Sequence, residues 1–179
     1  MMLQTKAVKT WGVLVCVLGT LGISNRCLAE EGVRVAEPEA GFSYVAPAGW
    51  QVRKIEGMRY QIAFLPTPVF APNINVVPEA FPGTVNQYVD ANLVTMTKWL
   101  KKFKMISRDD FKTSAGLAGS KVVAENEQNG KMLRQVFYFF SNGNGKCFVV
   151  TCTALSTDAD KHDTAYESAV KTFQFGGGQ

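Results

Sequence analysis

The only histidine in the chain, His162, is the residue best suited to acid–base or metal chemistry near neutral pH. Three aspartates surround it, but a calcium loop that begins at Asp158 would carry Asp163 at its sixth position, where that loop requires glycine. A zinc site would need three or four nitrogen or sulfur ligands. We therefore expect these acids to favour the first turn of a helix, and we predict no metal or cofactor. Metal binding near Asp158, Asp160 and His162 stays open as the alternative.

Catalysis by a nucleophile finds little support in the sequence. Residues 41–45 approach the G-x-S-x-G pattern, but the second glycine is missing and no helix is expected to follow. Asp109 and Asp110 are adjacent on a predicted strand, so their carboxylates point to opposite faces. We predict that the protein is not an enzyme. The alternative is a small envelope hydrolase in which His162 is the base of a triad assembled in space.

A proline-rich stretch at 66–83 is the longest irregular segment expected in the chain, and loops often carry function. It contains Phe70 and Phe81, which would form an exposed apolar patch of the kind that marks partner contacts. We predict that both side chains bind a partner. The alternative is that both rings fold back onto the sheet.

A cluster of lysines at 98–104 offers a competing surface for an acidic partner or for anionic lipid. Lys101 and Lys102 are its predicted partner-binding residues. The other interpretation is a solvated helix end, where the helix dipole favours cations. The neighbouring Trp99 is expected in the core, as is Trp50.

The segment 1–29 has the order of features typical of a secretory signal peptide. Lys6 and Lys9 provide the positive start, and the uncharged, mostly apolar run at 11–23 is shorter than the roughly 20 residues of a membrane-spanning helix. Small residues then precede a candidate cleavage site after Ala29. We predict that 1–29 is removed and that the exported chain has no membrane span.

Removal of this segment would change the charge balance of the chain. The full sequence has a formal net charge of +4, but 1–29 carries Lys6, Lys9 and Arg26 and no acid. The remainder is therefore close to neutral. Nucleic-acid binding needs a dense basic face, so we do not expect a nucleic-acid partner.

Two cysteines remain after the signal, Cys147 and Cys152, and both fall on one predicted strand. Residues five apart on a strand are about 16 Å apart, whereas a disulfide requires Cα atoms within about 7 Å. Their odd spacing also directs them to opposite faces. We predict two separate buried thiols and no disulfide.

The rest of the sequence predicts a single domain at 41–175, with a flexible lead-in at 30–40 and a disordered tail at 176–179. Its clearest helix begins at Thr84, where Gln87 completes a capping box. Apolar residues then recur at three- and four-residue steps, which gives the helix one face for a core.

Strands flank this helix. Before it, prolines limit any strand at 73–77 to a short or edge position. After it, Asn129 and Gly130 form the residue pair that favours a type I′ hairpin turn. The last strand, at 147–155, is apolar on both faces and is expected at the centre of the sheet. A second helix, capped by a residue of 156–158, closes the chain.

One helix on each face of an antiparallel sheet predicts an α+β fold, a three-layer α-β-α sandwich with a central antiparallel sheet. Both faces of the sheet are then assigned to helices. This arrangement predicts that neither face is free to hold a large ligand.

Three segments resemble the PsbP-like superfamily in their order along the chain. The opening strand with Pro-Ala-Gly-Trp at 47–50 looks like its strand followed by P-x-G-W, and 73–77 is similar to its N-I-N-V strand. The end, 168–175, looks like its closing helix with a final S-F-x-F-type signature. The likeness spans almost the whole mature chain. The superfamily includes the extrinsic PsbP proteins of photosystem II and DcrB-like bacterial envelope proteins.

The resemblance implies the same sandwich fold and a non-enzymatic role in binding or assembly, with another envelope protein as the partner. It also implies a periplasmic or extracellular location, or the thylakoid lumen if the protein is photosynthetic. An extrinsic PsbP-family protein associated with photosystem II stays an alternative.

Overall fold

The computed structural model describes residues 32–158 and 160–176 of the chain. The predicted signal segment 1–29 and residues 177–179 of the predicted tail lie outside these ranges. No helix within them is both long enough and apolar enough to cross a membrane. The elements are, in chain order, β1 (Arg34–Glu37), β2 (Phe42–Val45), β3 (Gln51–Lys54), β4 (Gln61–Phe64), β5 (Asn73–Ala80), α1 (Val85–Trp99), β6 (Lys101–Lys112), β7 (Ala118–Gln128), β8 (Lys131–Ser141), β9 (Lys146–Leu155), a 3₁₀-helix (Ser156–Asp158), α2 (Asp163–Lys171) and β10 (Gln174–Phe175).

These strands form two sheets, and each strand pairing in the described ranges is antiparallel. The large sheet has the order β3-β4-β5-β9-β8-β7-β6, and the small sheet has the order β1-β2-β10. The predicted α+β class and antiparallel central sheet are confirmed. β9 lies between β5 and β8, as its apolar residues on both faces predicted.

The hairpin between β7 and β8 follows the sequence signal. Asn129 and Gly130 have φ angles of 50° and 74°, and a type I′ turn requires positive φ at both central residues. Gln128 lies opposite Lys131, so the loop contains only these two residues. The turn fixes the register of β7 and β8, which are eleven residues long each.

Different elements pack on the two faces of the large sheet. Phe137 and Phe139 of β8 pack on the α1 side, whereas Val136 and Tyr138, which alternate with them, pack on the opposite side, as the alternation of a strand requires. The core on the α1 side contains the buried residues Tyr88, Val89, Val122, Ala124, Phe137, Phe139, Cys147 and Val149.

α2 and the small sheet together cover the opposite face. Part of this small sheet lies in 30–40, so the prediction of a flexible lead-in was wrong for β1. Val35 of β1 pairs with Tyr44 of β2, and both side chains are buried in the core. A strand of four residues is too short to show a period of its own, and tertiary pairing decides its structure.

β5 is longer than predicted and lies inside the sheet. The prolines suggested a short or edge strand at 73–77, but β5 continues through Pro78 and pairs with β9 along its length. β4 pairs only with the first two residues of β5, Asn73 and Ile74. The edge of β5 that faces β4 is unpaired at Pro78, and a residue without an N–H fits there at no cost in ladder hydrogen bonds.

The start of α1 follows the sequence prediction. The Gln87 N–H donates to the Thr84 hydroxyl oxygen at 3.2 Å, and the Thr84 N–H donates to the Gln87 side-chain oxygen at 2.8 Å. This capping box satisfies two N–H groups that have no partner within the helix. Tyr88 and Val89 then form the buried face of the first turns.

The end of α1 differs from the prediction. The helix ends at Trp99, so Lys101 and Lys102 lie in β6 and do not form a lysine-rich helix end. Trp99 is 72% exposed, and its predicted place in the core was wrong. The prediction for Trp50, which is 7% exposed, is confirmed. Trp99 has helical spacing but lies beyond the part of α1 that packs on the sheet.

α2 also starts and ends at other residues than predicted. His162 occupies the N-cap position, and residues 156–158 form a 3₁₀-helix instead of the cap. The helix ends at Lys171, and the chain then adds β10 to the small sheet beside β2. Gly176, which was expected in a disordered tail, donates its N–H to the Gly41 carbonyl oxygen at 2.9 Å.

The two cysteines of β9 are free and buried, which confirms that they form no disulfide with each other. Cys147 packs in the core on the α1 side and Cys152 in the core on the opposite side. Burial raises the pKa of both thiols above the ordinary cysteine value. Both therefore behave as small apolar residues.

Candidate functional site

α1 covers only part of the sheet face on which it packs. It lies over β6, β7 and β8, and its core reaches β9 only through Cys147 and Val149. Residues directly opposite in an antiparallel pair point to the same face. Val77 of β5 lies opposite Val149, and Asn75 lies opposite Thr151, so these side chains share the face of α1 beyond its edge.

The same register argument extends this surface to the edge of the sheet. Asn73 lies opposite Thr153 of β9 and opposite Phe64 of β4, and Arg53 of β3 lies opposite Ile62, two residues before Phe64. We call this surface the open half, and the part beneath α1 the covered half. The open half presents the exposed or half-buried side chains of Arg53, Phe64, Asn73, Asn75, Val77 and Thr151.

The open half contradicts the expectation that helices occupy both faces of the sheet. One helix of fifteen residues covers three strands of a seven-stranded sheet, and four strands extend past it. The prediction counted faces but could not give the width of the sheet. The binding surface that it assigned to loops alone therefore includes part of the sheet itself.

A groove of about 600 Å³ lies in the open half, along β3 and β4. The loop between β4 and β5 brings Phe70 to its rim, and the Thr67 hydroxyl donates to the Phe70 carbonyl oxygen within that loop. The Arg53 guanidinium lies 5.2 Å from the centroid of the Phe64 ring. Apolar ring faces and a guanidinium group thus line one continuous surface.

A second groove, of about 280 Å³, adjoins the first where β4 and β5 separate. Met58 and Ile62 line both grooves, and Val76, Val77 and Pro78 line the second one alone. Only the first two residues of β5 pair with β4. The rest of that edge of β5 is therefore unpaired along this groove. Polar backbone groups and apolar side chains are both available there to an extended segment of a partner.

A buried polar chain crosses the sheet from the covered half to β9. The Asn126 side-chain amide donates to the Gln135 side-chain oxygen, and the Gln135 amide donates to the Thr153 hydroxyl at 3.1 Å. All three residues are buried, and the Asn126 side-chain oxygen has no hydrogen-bond partner in the described ranges. This row bounds the apolar core under α1 on the side of the hairpin between β7 and β8.

The structure separates the two predicted loop aromatics. Phe70 lies at the rim of the open half and is half-buried. Phe81 follows β5 and packs against α1, with its ring centroid 5.1 Å from that of Tyr88. The alternative of folding back is therefore the outcome for Phe81, because the core on the α1 side extends over its ring.

The two predicted lysines lie far across the sheet. Lys101 and Lys102 belong to β6, which is the edge opposite β3. Both ammonium groups contact the Glu127 carboxylate, with 2.6 Å between Lys102 Nζ and Glu127 Oε2. Their hydrogen bonds lower the pKa of the Glu127 carboxyl. The structure thus brings these lysines together with each other and not with Phe70.

His162 is buried beside a carboxylate. Its Nε2 atom lies 3.8 Å from Asp158 Oδ2, and its ring centroid lies 6.1 Å from that of Tyr166. Asp163 is engaged elsewhere, because Arg134 Nη2 donates to its Oδ2 atom at 2.7 Å. Asp160 is exposed. Among residues 32–158 and 160–176, no hydrogen bond joins the His162 ring to a serine, threonine or cysteine side chain, and no three metal-ligating side chains come together.

Comparison with known protein families identifies the family of this chain. The DcrB family model matches residues 47–172, which is more than half of the sequence. The chain belongs to the DcrB family. A comparison with curated proteins found no match.

Solved structures share the fold of this DcrB family member. CyanoP, the PsbP of the cyanobacterium Synechocystis sp. PCC 6803, has a TM-score of 0.59 and 12% identity, covering 88% of this chain and 99% of CyanoP. LpqN of Mycobacterium tuberculosis, which is involved in cell envelope biogenesis, has a TM-score of 0.58 and 14% identity, covering 75% and 83%. The protein PA94 of Pseudomonas aeruginosa, of unknown function, has a TM-score of 0.51 and 22% identity, covering 70% and 96%. At these identities the likeness shows the fold alone.

The residues of the open half were missed by the sequence analysis of this DcrB family member, although one signal was present. In β5, Asn73 and Asn75 alternate with the buried Ile74 and Val76. Such alternation is typical of a strand with one core face and one solvated face.

Proposed function

We propose that this DcrB family member is an exported, non-enzymatic binding or assembly module, and that the open half is its partner surface. The partner is another envelope protein. One observation carries the proposal: four strands of the large sheet extend beyond α1 and present a mixed apolar and polar surface that contains a groove of about 600 Å³. An uncovered sheet face of this composition favours association over solvation.

The chemistry of the open half fits a protein partner. Aromatic and arginine side chains are enriched at protein interfaces, and Phe64, Phe70 and Arg53 provide them here. The amides of Asn73 and Asn75 provide donors and acceptors beside them. The partner that this pattern suits is an extended or flat protein segment with apolar side chains and exposed backbone groups.

We further propose export by removal of 1–29, with a mature N-terminus near Glu30 and a periplasmic location. The order of charge, apolar run and small residues in 1–29 supports this proposal. N-terminal sequencing of the protein isolated from its native host tests it directly. An intact Met1 in that protein would refute cleavage.

The finer architecture that we propose is a PsbP-like three-layer sandwich. α1 supplies one outer layer, and α2 with the small sheet supplies the other. The second outer layer therefore contains both a helix and strands. The partner surface is the part of the middle layer, the large sheet, that α1 does not cover.

We assign His162 a structural role at the start of α2. Its N-cap position and its contact with Asp158 support this role, since a histidine at a helix start can be held by a nearby carboxylate. The hydrolase alternative requires His162 for activity. The variant His162→Gln is expected to keep partner capture at the wild-type level.

The test of the proposed surface is capture of envelope proteins by the immobilised chain. Asn75→Lys places a long charged side chain in the middle of the open half and is expected to reduce capture at least tenfold. Asp110→Lys places the same side chain at an exposed residue of the far edge strand β6, with a change of two charge units instead of one, and is the control. Equal capture by the Asn75 variant and the wild type, with both folded by circular dichroism, would refute the open half as the partner surface.

A further inference from the structure

We propose that the opposite end of the molecule docks on an anionic lipid surface. The docking element, which we call the lysine–tryptophan tip, is built from the end of α1, the start of β6 and the hairpin between β7 and β8. It comprises Lys98, Trp99, Lys101, Lys102, Lys104, Lys131 and Met132. It lies at the far edge of the sheet from the open half, so it leaves that surface free for a protein partner.

Strand register joins the parts of this tip. Lys101 of β6 lies opposite Glu127 of β7, and Glu127 lies opposite Met132 of β8. Lys131 is the neighbour of Met132 at the turn. The helix ends two residues before Lys101. The end of the helix and three strands therefore present their side chains from one end of the molecule.

Trp99 is a large apolar side chain of the tip that is exposed to water. It is the last residue of α1, and its ring is largely exposed, with Lys98 Nζ 5.0 Å from the ring centroid. A ring of this size exposes a large apolar area to water, whereas tryptophan is favoured at the interface between water and acyl chains. Met132 is a second exposed apolar side chain of the tip.

The charge of the tip complements an anionic surface. Five lysines stand near two carboxylates, those of Glu125 and Glu127. Lys101 and Lys102 share Glu127, yet 69% and 63% of their side-chain surfaces remain exposed. Lys98, Lys104 and Lys131 form no ion pair within the described ranges. Positive charge therefore remains in excess around the tryptophan.

The distribution of these side chains favours lipid over an acidic protein. A protein interface has a contiguous, desolvated apolar centre with charges at its rim. In the tip, Met132 has the register of Val136 and Tyr138 and faces away from α1, whereas Trp99 is the last residue of α1, so the two apolar side chains form no such centre. A bilayer accepts this arrangement, because tryptophan enters the boundary of the acyl chains while lysines reach the phosphates beside it.

The test measures whether Trp99 reaches the acyl chains. The full chain has three tryptophans, and Trp11→Phe leaves only the buried Trp50 and the exposed Trp99. This protein is added to vesicles of phosphatidylglycerol whose acyl chains carry bromine, which quenches tryptophan on contact. We expect quenching that salt reverses and that the further change Trp99→Phe removes. Vesicles of brominated phosphatidylcholine are expected to quench little.

Two charge variants distinguish vesicle binding by the tip from attraction of any surface lysine to the anionic lipid. Lys98→Gln with Lys104→Gln is expected to raise the lipid concentration for half-maximal quenching about 25-fold, since each lysine near an anionic surface accounts for about fivefold. Lys112→Gln with Lys161→Gln removes two exposed lysines elsewhere and is the matched control, with no more than about twofold expected.

Three outcomes would overturn the proposal. The first is an absence of Trp99 quenching on phosphatidylglycerol. The second is equal quenching on phosphatidylcholine, which would assign vesicle contact to the apolar run at 11–23 or to a charge-independent process. The third is an equal loss for the control pair of lysines. If the first outcome is observed and the tip lysines bind an acidic protein, the tip is assigned to a protein partner instead of lipid.

Discussion

The covered and open halves belong to the same face of the same sheet, but they differ in the residues that point outward. On the covered half β8 presents Phe137 and Phe139, which α1 buries. On the open half β5 presents Asn73 and Asn75 at equivalent positions. The backbone is alike in both halves, so residue type decides which half accepts a helix. A strand that places amides outward cannot be covered by an apolar helix face without leaving polar groups unsatisfied.

A buried polar row crosses the sheet from the covered half to β9. Asn126, Gln135 and Thr153 form a hydrogen-bonded chain across β7, β8 and β9. The apolar core on the α1 side ends at this row in the direction of the hairpin between β7 and β8. These polar side chains can be buried because each one is hydrogen-bonded to the next.

The largest expected effect is a difference in the free energy of unfolding between variants of the two halves. Phe139→Ala removes a fully buried ring of the covered half and is expected to lower the free energy of unfolding by about 3–5 kcal/mol. Phe64→Ala removes a half-buried ring of the open half and is expected to cost about 1 kcal/mol. Urea unfolding of both variants measures the difference. Equal losses would show that the open half is as much a part of the core as the covered half.

The next effect sharpens the comparison between the two loop aromatics. Phe81→Ala exposes the Tyr88 ring and is expected to cost about 2 kcal/mol while leaving partner capture by the folded protein unchanged. Phe70→Ala is expected to lower partner capture severalfold with a loss of stability below about 1 kcal/mol. Capture and unfolding are measured on both variants. The reverse pattern would place the partner surface beside α1.

The smallest expected effect concerns the cysteine thiols beneath the two faces. Burial raises the pKa of Cys147 and of Cys152, so the thiolate fraction at mildly alkaline pH is lower than for an ordinary cysteine. Raising the pH from about 7 to about 8.5, an ordinary thiol pKa, is therefore expected to leave alkylation of both in the folded protein slow. Mass spectrometry after iodoacetamide treatment follows the reaction, with the urea-unfolded chain as control. Rapid alkylation of Cys147 alone would show that the covered half opens.

Local patterns predicted much of the fold. The capping box at Thr84, the turn at Asn129 and Gly130 and the central position of β9 depend on nearby residues, and the structure confirms each one. The strand β1 and the exposed Trp99 were missed because both depend on distant packing. β1 requires its pairing with β2, and Trp99 requires knowledge of where the sheet beneath α1 ends.

The candidate site was less predictable than the fold. Phe70 was named from its place in a proline-rich loop, and the structure brings it to the rim of the open half. Arg53, Phe64 and Thr151 lie on three different strands, and only the register of the sheet brings them to one face. No spacing along the chain encodes that meeting.

The most direct test of the central claim is site-specific photocrosslinking in the native envelope. A photoreactive benzophenone amino acid is placed at position 75, in the middle of the open half, and in a second protein at position 110, on the exposed edge strand β6. We predict a discrete covalent adduct with one envelope protein from position 75 and none from position 110. An adduct from position 110 with none from position 75 would contradict the account and move the partner surface to the other edge of the sheet.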